Sequence, residues 1–510
     1  MSATPRRLRL APWLLLALWA RLSTTLRGLF EVLVRRPFMR LTLGDQLARL
    51  ADEAALPPAE DDHIADGRQL TIDELPLGLA NLGNLCFVNA VVQCLRVLPG
   101  FVDRLVDATA AARTRALTGD DKATARQWHM ADALCDLLDG VAPERHGAER
   151  EEGQDVLLGR SIVKESDPDA RAEQNVALLR NFRRAASECS YLVAATGVHQ
   201  EQQDAEEFLS WLLELLHELF RRRESPPDDN DVLEFERYEM RFTDSLRAYS
   251  PNDPTSYTTA VTNLGTLRWN RYLQQNTSMI TDLFCGQVVR GSQCSSCASL
   301  TCLHEEQRVI ALTVDPTKPE QSVIESLKRY AVPEQLTDDN RVFCNGFCQT
   351  RTGRLTQALL QRTPSTLILQ LQRFQQVRAG GLLEKVDADV HFPWRSNEQL
   401  DVTINAFNRD EARPVLYRLV AVCSHVGGSI NAGHYIAYVR GTSESLDEDR
   451  DSDGRASSDQ WIRIDDDFVS VIDDAIFERE TLSTAYLLFY TRVEASSSVE
   501  QEQATVAAET

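Results

Sequence analysis

The stretch GLANLGNLCFVNAVVQCL, residues 78–95, decides how the rest of this chain is read. Its first half is turn-forming: Gly78, Asn81, Gly83 and Asn84 stand close together, and Asn84 is the expected N-cap of a helix. From Cys86 onward, Phe87, Val88, Val91, Val92, Leu95 and Leu98 recur at helical spacing. Cys86 is therefore expected in the first turn of a helix whose other face is buried. Backbone N–H groups and the positive end of the helix dipole gather there, and both stabilise negative charge on a sulfur. The plainer reading of such a cysteine is a core residue. The remaining motifs have to decide between the two.

The chain has 510 residues, room for one large domain with insertions or for two or three ordinary ones. Its net charge of −22 speaks against nucleic acid as the main partner and suits a basic one. Eleven cysteines, an odd number with two close pairs, do not make a secreted disulfide framework. They point to a reducing compartment, with metal binding or catalysis as their special uses.

The first forty residues carry eight Arg and one acid, Glu31. Residues 10–20 form an apolar run shorter than a bilayer-spanning helix. Leu18, Leu22, Leu26, Leu29, Phe30, Leu33 and Val34 continue it at helical spacing, with Arg21, Gly28, Glu31 and Arg35 on the other face. Residues 1–40 thus read as a membrane anchor, a short apolar plug followed by an amphipathic helix. A cleaved signal or mitochondrial presequence is the alternative, and a helix packed on the domain is the plain reading. Residues 41–76 read as an acidic linker and residues 495–510 as a disordered tail.

Within the domain, residues 140–173 look like a charged surface insertion and residues 221–254 like a mobile acidic loop. Between them HQEQQDAEEFLSWLLELLHELF, residues 199–220, is an amphipathic helix with Asp204 and Glu207 at its acidic start. Residues 284–314 alternate like strands and carry Cys294 and Cys297 as CSSC; Cys344 and Cys348 follow as CNGFC. Two such pairs build a four-thiolate structural zinc site. The second pair is one residue longer than the common spacing, and Cys302 and His304 lie close enough to compete as ligands. Strands are expected at 366–374, 386–393 and 416–424. In SHVGGSINAGHYIAYVRG, residues 424–441, a Gly-rich loop delivers His434 onto a strand, with His425 as a second candidate. WIRIDDDFVSVI, residues 461–472, places Asp465, Asp466 and Asp467 directly after a strand, and AYLLFYTR, residues 485–492, is the last one.

A cysteine at a helix start, a histidine on a strand and an aspartate after the next strand are the ingredients of thiol nucleophilic catalysis. Asn81, five residues before Cys86, can offer its amide to a developing oxyanion. At this point the chain resembles a known family. The 78–95 block, QQDAEEFL, LILQLQRF, SHVGG with AGHYIAYVRG, WIRIDDDFVSV and AYLLFYTR look like the ordered blocks of the ubiquitin-specific proteases. The resemblance covers about residues 77–492, and implies a catalytic domain over 77–494. It implies an α+β, papain-like fold: a helical thumb, a mixed-sheet palm, and zinc-clipped β fingers over about 284–360. It implies hydrolysis of the isopeptide or peptide bond after the C-terminal glycine of ubiquitin, with ubiquitin and ubiquitinated proteins as partners and no cofactor for the chemistry.

Carried over residue by residue, Cys86 is the nucleophile, His434 the general base, Asp465 the orienting acid with Asp466 as its rival, and Asn81 the oxyanion donor. Asp204, Glu207 and Tyr435 are implied contacts to the basic ubiquitin tail, and Cys294, Cys297, Cys344 and Cys348 the implied zinc ligands. Leu85 stands where the family usually has Thr, and Ala90 where it usually has Ser, so two hydroxyls are missing beside the nucleophile. A catalytically silent ubiquitin-binding scaffold and a protease for a ubiquitin-like modifier are the alternatives. The N-terminus resembles the short anchor of family members on the mitochondrial outer membrane. The expected location is that membrane with the domain facing the cytosol, otherwise the ER membrane or the cytoplasm.

Overall fold

The structure, a computed structural model, describes residues 75–116, 122–142, 168–194, 203–222, 229–247, 254–376, 383–407, 414–429, 432–441 and 460–493. The expected anchor and tail lie outside these residues, as does the expected linker apart from residues 75 and 76.

A helical layer comes first: α1 (Cys86–Arg96), α2 (Phe101–Ala116), α3 (Lys122–Gly140), α4 (Pro168–Ser187) and α5 (Ala205–Phe220). α1 is buried from Cys86 to Leu95, which is why that run is apolar except for Asn89 and Gln93. These two, one turn apart, are both used. Asn89 Nδ2 donates to the Leu79 carbonyl (3.1 Å) and Gln93 Nε2 to that of Leu77 (2.8 Å). They staple residues 77–79 along the helix. The expected N-cap, Asn84, is not the cap. Leu85 holds that position without a side-chain bond, and Asn81 Oδ1 takes the Leu85 N–H at 3.1 Å. The cause is the turn, which runs through the left-handed region at Gly83 (φ 95°) and Asn84 (φ 52°), a conformation Gly and Asn tolerate best. α5 forms where its stripe of Phe208, Leu209, Leu212, Leu213 and Leu216 predicts it. Asp204 caps it by accepting from the Glu206 N–H.

Residues 221–254, expected as a mobile loop, instead hold α6 (Asp229–Arg247), and α7 (Pro254–Asn276) begins at their end. α6 is polar and mostly exposed, with Leu246 buried. Its docking beside α7 and the fingers, around Val261, Leu264, Val289 and Leu300, is a tertiary event with a weak local signature.

The short α8 (Met279–Phe284) leads into the fingers: β1 (Gly286–Cys294), β2 (Leu300–Gln307), β3 (Val309–Thr313), β4 (Glu320–Ser322), α9 (Val323–Tyr330), β5 (Glu334–Leu336), β6 (Val342–Phe343), β7 (Arg351–Thr352) and β8 (Arg354–Arg362). Four of these strands pair in the antiparallel order β2-β1-β8-β5, and β6 and β7 form a separate hairpin.

The palm follows: β9 (Thr366–Gln372), β10 (Phe374–Gln376), β11 (Leu383–Lys385), β12 (Asp389–His391), β13 (Leu400–Asp401), β14 (Leu416–Ser429), β15 (Ala432–Arg440), β16 (Trp461–Asp465), β17 (Phe468–Ile472), α10 (Asp474–Thr481) and β18 (Ala485–Arg492). Its main sheet runs β17-β16-β15-β14-β18-β9-β3, with β13 on the flank of β14. β3 and β9 are parallel and the other pairs antiparallel. Both faces are covered. Ala437, Val439, Leu487 and Phe489 meet the helical layer, while Ile436, Tyr438, Leu488 and Tyr490 join a second core that includes Phe477 of α10. Burial on both faces explains near-continuous apolar strands such as AYLLFY.

The strand expected at 386–393 shrinks to β12. Arg373, fully buried, takes the carbonyls of Val386 (3.1 Å), Ala388 (2.7 Å), Leu482 (2.7 Å) and Ala485 (2.6 Å). Carbonyls engaged by a guanidinium are not available to a ladder. Among the described residues, no single helix is long and apolar enough to cross a membrane.

Candidate active site

The site lies where α1 meets the middle of the palm sheet. His434 is not delivered by a loop, as the sequence suggested. It is the third residue of β15, opposite Val426 of β14, and the glycine pair 427–428 lies inside β14 at a register shift. Its Nε2 is 2.5 Å from Asp465 Oδ1. That leaves Nδ1 for the Cys86 thiol, with which the ring also hydrogen-bonds. The Asp465 bond first, then the Cys86 bond, raise the imidazole to about 10 against the opposing effect of burial. At neutral pH the ring is therefore the cation between a sulfur and a carboxylate. The same His434 bond holds the Asp465 carboxyl below its ordinary range.

Asp466, the rival, is placed differently. Its Oδ2 stands 3.7 Å from His434 Nε2, and its Oδ1 takes Asn89 Nδ2 at 2.8 Å. Burial pushes this carboxyl up. It occupies a left-handed turn position, φ 53°, and its carbonyl accepts the Leu79 N–H at 2.8 Å. The turn thus rests on the opening stretch so closely that a Cβ on Gly78 would come within 2.6 Å of the Asp466 carbonyl oxygen. Asn89 was missed by sequence reasoning as a site residue. Its signal was a polar side chain inside an apolar helix, one turn after the cysteine.

Asn81 is exposed and bonds Leu85, the residue before Cys86. With Oδ1 turned to the Leu85 N–H, its amide is the donating end, and it also bonds Asp466. Arg183 of α4, another residue not anticipated, fixes this segment by donating to the Leu82 carbonyl at 2.7 Å. Leu85 and Ala90 are buried in the helical core, so the positions without hydroxyls are filled by apolar packing.

The expected tail contacts separate. Glu207 is exposed. Asp204 both caps α5 and accepts the Tyr486 hydroxyl, 2.8 Å from each carboxylate oxygen; burial raises its proton affinity, and these bonds oppose it. Tyr435 lies beneath the surface. It is 1% exposed, and its hydroxyl accepts the Ala205 N–H at 3.4 Å, so it supports the start of α5 from below the surface. His425 is fully buried between Phe374 and Tyr435. Burial pulls its ring down to about 3, and it is a neutral core residue.

At the tip of the fingers, the sulfurs of Cys294, Cys297, Cys344 and Cys348 lie within 4.8 Å of one another. Cys294–Cys348 is 3.8 Å and Cys297–Cys344 is 3.7 Å. Tetrahedral zinc–thiolate bonds of about 2.3 Å require sulfurs about 3.8 Å apart, so the four side chains fit the ion. The Ser299 hydroxyl holds the Cys297 thiol down to about 5, which suits a thiolate ligand. Cys302 is not part of the group, and His304 turns to Arg268, 3.2 Å away.

The family profile described as "Ubiquitin carboxyl-terminal hydrolase" matches residues 77–490. "Ubiquitin carboxyl-terminal hydrolase 21" of Homo sapiens is 27% identical over 404 residues, covering 75% of this chain and 59% of that protein. "Ubiquitin carboxyl-terminal hydrolase 2" of Bos taurus is 26% identical over 414 residues, with 81% and 54% covered. The chain thus spans between half and three fifths of the length of these curated relatives. Two solved structures of the SAGA DUB module, one bound to ubiquitin aldehyde and one to monoubiquitin, share the fold. Each has a TM-score of 0.52 at 19% identity, covering 85% and 90% of this chain and 72% and 76% of theirs. The α+β architecture and the profile match over most of the chain place this protein in the ubiquitin carboxyl-terminal hydrolase family.

Proposed function

We propose that this protein is a deubiquitinating thiol protease that hydrolyses the bond after the C-terminal glycine of ubiquitin. The observation that carries this reading is the line from Cys86 through His434 to Asp465, set in this family's fold. The Cys86 sulfur attacks the glycine carbonyl. The Asn81 amide and the N–H groups at the start of α1 receive the developing oxyanion. His434, protonated, gives its Nδ1 proton to the departing lysine amine, and Asp465 holds the ring through Nε2. Water then cleaves the thioester, with His434 taking its proton, and Cys86 is released. Glu207, with Asp204 behind it, supplies negative charge for the basic tail.

The test is turnover of a ubiquitin–fluorophore conjugate and covalent capture of Cys86 by an electrophilic ubiquitin probe. Both are expected, and Cys86→Ser should lower turnover by several orders of magnitude. Turnover that survives this substitution sinks the reading. Ubiquitin binding without capture would favour the silent scaffold, and stronger capture by a ubiquitin-like probe the related protease. The intact triad supports the enzyme over the scaffold.

Two further parts belong to the proposal. Cys294, Cys297, Cys344 and Cys348 would hold a structural zinc that clips the β1–β2 turn to the segment between β6 and β7. The basic apolar segment 1–40 would tether the domain to a membrane on the cytosolic side, most simply the mitochondrial outer membrane. A fluorescent fusion of residues 1–40 that stays diffuse in cells removes the tether.

A further inference from the structure

Asp465 has a second partner that the triad does not account for. Its Oδ1 faces His434, and its Oδ2 accepts from Arg463 Nη2 at 2.7 Å. Arg463 lies two residues earlier on β16, hence on the same face of the strand. The other side of that guanidinium is occupied as well. Nε is 3.3 Å from Glu480 Oε2, an ion-pair contact and not an aligned hydrogen bond. The same Glu480 oxygen accepts the Tyr438 hydroxyl at 2.8 Å. Tyr438 is the register partner of Arg463 across β15 and β16, and Glu480 comes from α10. α10 is itself clamped to the strand by Phe477, whose ring stacks on Trp461 with centroids 3.9 Å apart.

We propose that Arg463, braced by Glu480 and Tyr438, is the positioning residue that fixes the Asp465 carboxylate for His434. The inference rests on the thiol chemistry proposed above. A carboxylate held at one oxygen can rotate about its χ2 and release the imidazole. A second, rigid donor at the other oxygen removes that freedom. The guanidinium fork suits this because one planar group reaches two carboxylates at once. The three anchors come from three elements, so Asp465 is fixed relative to the sheet and not merely to its own turn. Asp466, the neighbouring acid, is held instead by the side-chain amides of Asn89 and Asn81.

The experiment compares wild type with Arg463→Gln, Arg463→Lys, Glu480→Gln and Tyr438→Phe. Turnover of a ubiquitin–fluorophore conjugate is measured together with the downfield proton resonance of His434 Nε2–H. Arg463→Gln should lower kcat about tenfold with KM within about twofold, and should lose or broaden the resonance. Arg463→Lys, which keeps one donor, should recover most of both. Glu480→Gln and Tyr438→Phe should give smaller losses in the same sense. If Arg463→Gln is unstable, Tyr438→Phe, which removes one hydroxyl, reads the same network. An unchanged resonance and kcat in Arg463→Gln, or a change confined to KM, overturns the proposal. If wild type gives no turnover but the resonance responds as stated, the deubiquitinase reading falls and the positioning role stands. If wild type turns over and Arg463→Gln matches it, the reverse holds.

Discussion

His434 sets the pH behaviour of the site. Its folded value, about 10, lies above the ordinary 6.5 because Asp465 and Cys86 both bond the ring. Its contribution to stability is therefore complete below about 6.5 and is lost as pH rises through about 10. The melting temperature of wild type minus that of His434→Gln should be largest near pH 6 and shrink towards pH 10. A gap that widens with pH would contradict the assigned partners. The two aspartates should also separate kinetically. Asp465→Asn removes the charge and leaves one acceptor oxygen for both His434 and Arg463, and should cost about 10³-fold in kcat or more, whereas Asp466→Asn should cost about tenfold or less. Equal losses would mean that both carboxylates orient the imidazole. The structure brings Cys86, His434 and Asp465 into one hydrogen-bonded line, and each stands out in the sequence as a distinctive residue type beside a turn or strand signal. Tyr435 shows what sequence leaves open: its place beside His434 in the chain says nothing of which face of β15 it occupies, and the fold buries it.

At the scale of elements, two contacts hold the palm and the opening stretch in place. Arg373 satisfies four backbone carbonyls in a fully buried setting. Arg373→Met should destabilise the domain by about 3–5 kcal/mol in urea unfolding, because those carbonyls would remain buried without their donor. A loss under about 1 kcal/mol would mean that water or a shift of β12 replaces the guanidinium. Gly78 is the second. Any Cβ there collides with backbone of the Asp466–Asp467 turn, which cannot give as a flexible side chain can. Gly78→Ala should lower stability by about 1–3 kcal/mol and reduce kcat at the same time, since one turn carries both effects. The helix α6 is the opposite case. Its polar, mostly exposed surface leaves little hydrophobic period in the sequence, and α7 and the fingers supply what it packs on.

At the scale of the whole molecule, the strands around the four cysteines and the triad belong to different sheets. Removing metal should therefore separate binding from chemistry. Zinc analysis of the purified protein is expected to find about one ion per chain. Chelation or Cys297→Ser should lower the melting temperature and raise KM for a ubiquitin substrate more than it changes kcat. Well under one zinc per chain, or an unchanged melting temperature after chelation, would remove the structural ion. Whole-molecule charge fits the same picture: the acidic total of −22 suits a basic partner.

The amino-acid sequence by itself pointed to the residues proposed to carry the chemistry and fixes the order in which they come. It also determined the helices and strands with strong apolar periods, such as α1, α5 and β18, because periodicity is a local property of the chain. Only the tertiary structure decided which aspartate lies closer to His434, that Leu85 and not Asn84 stands at the start of α1, and that Arg463, Glu480 and Tyr438 converge on Asp465. Those outcomes depend on register between β15 and β16 and on the docking of α1 and α10 against the sheet. They are set by contacts between residues far apart in the chain, which no window of sequence contains.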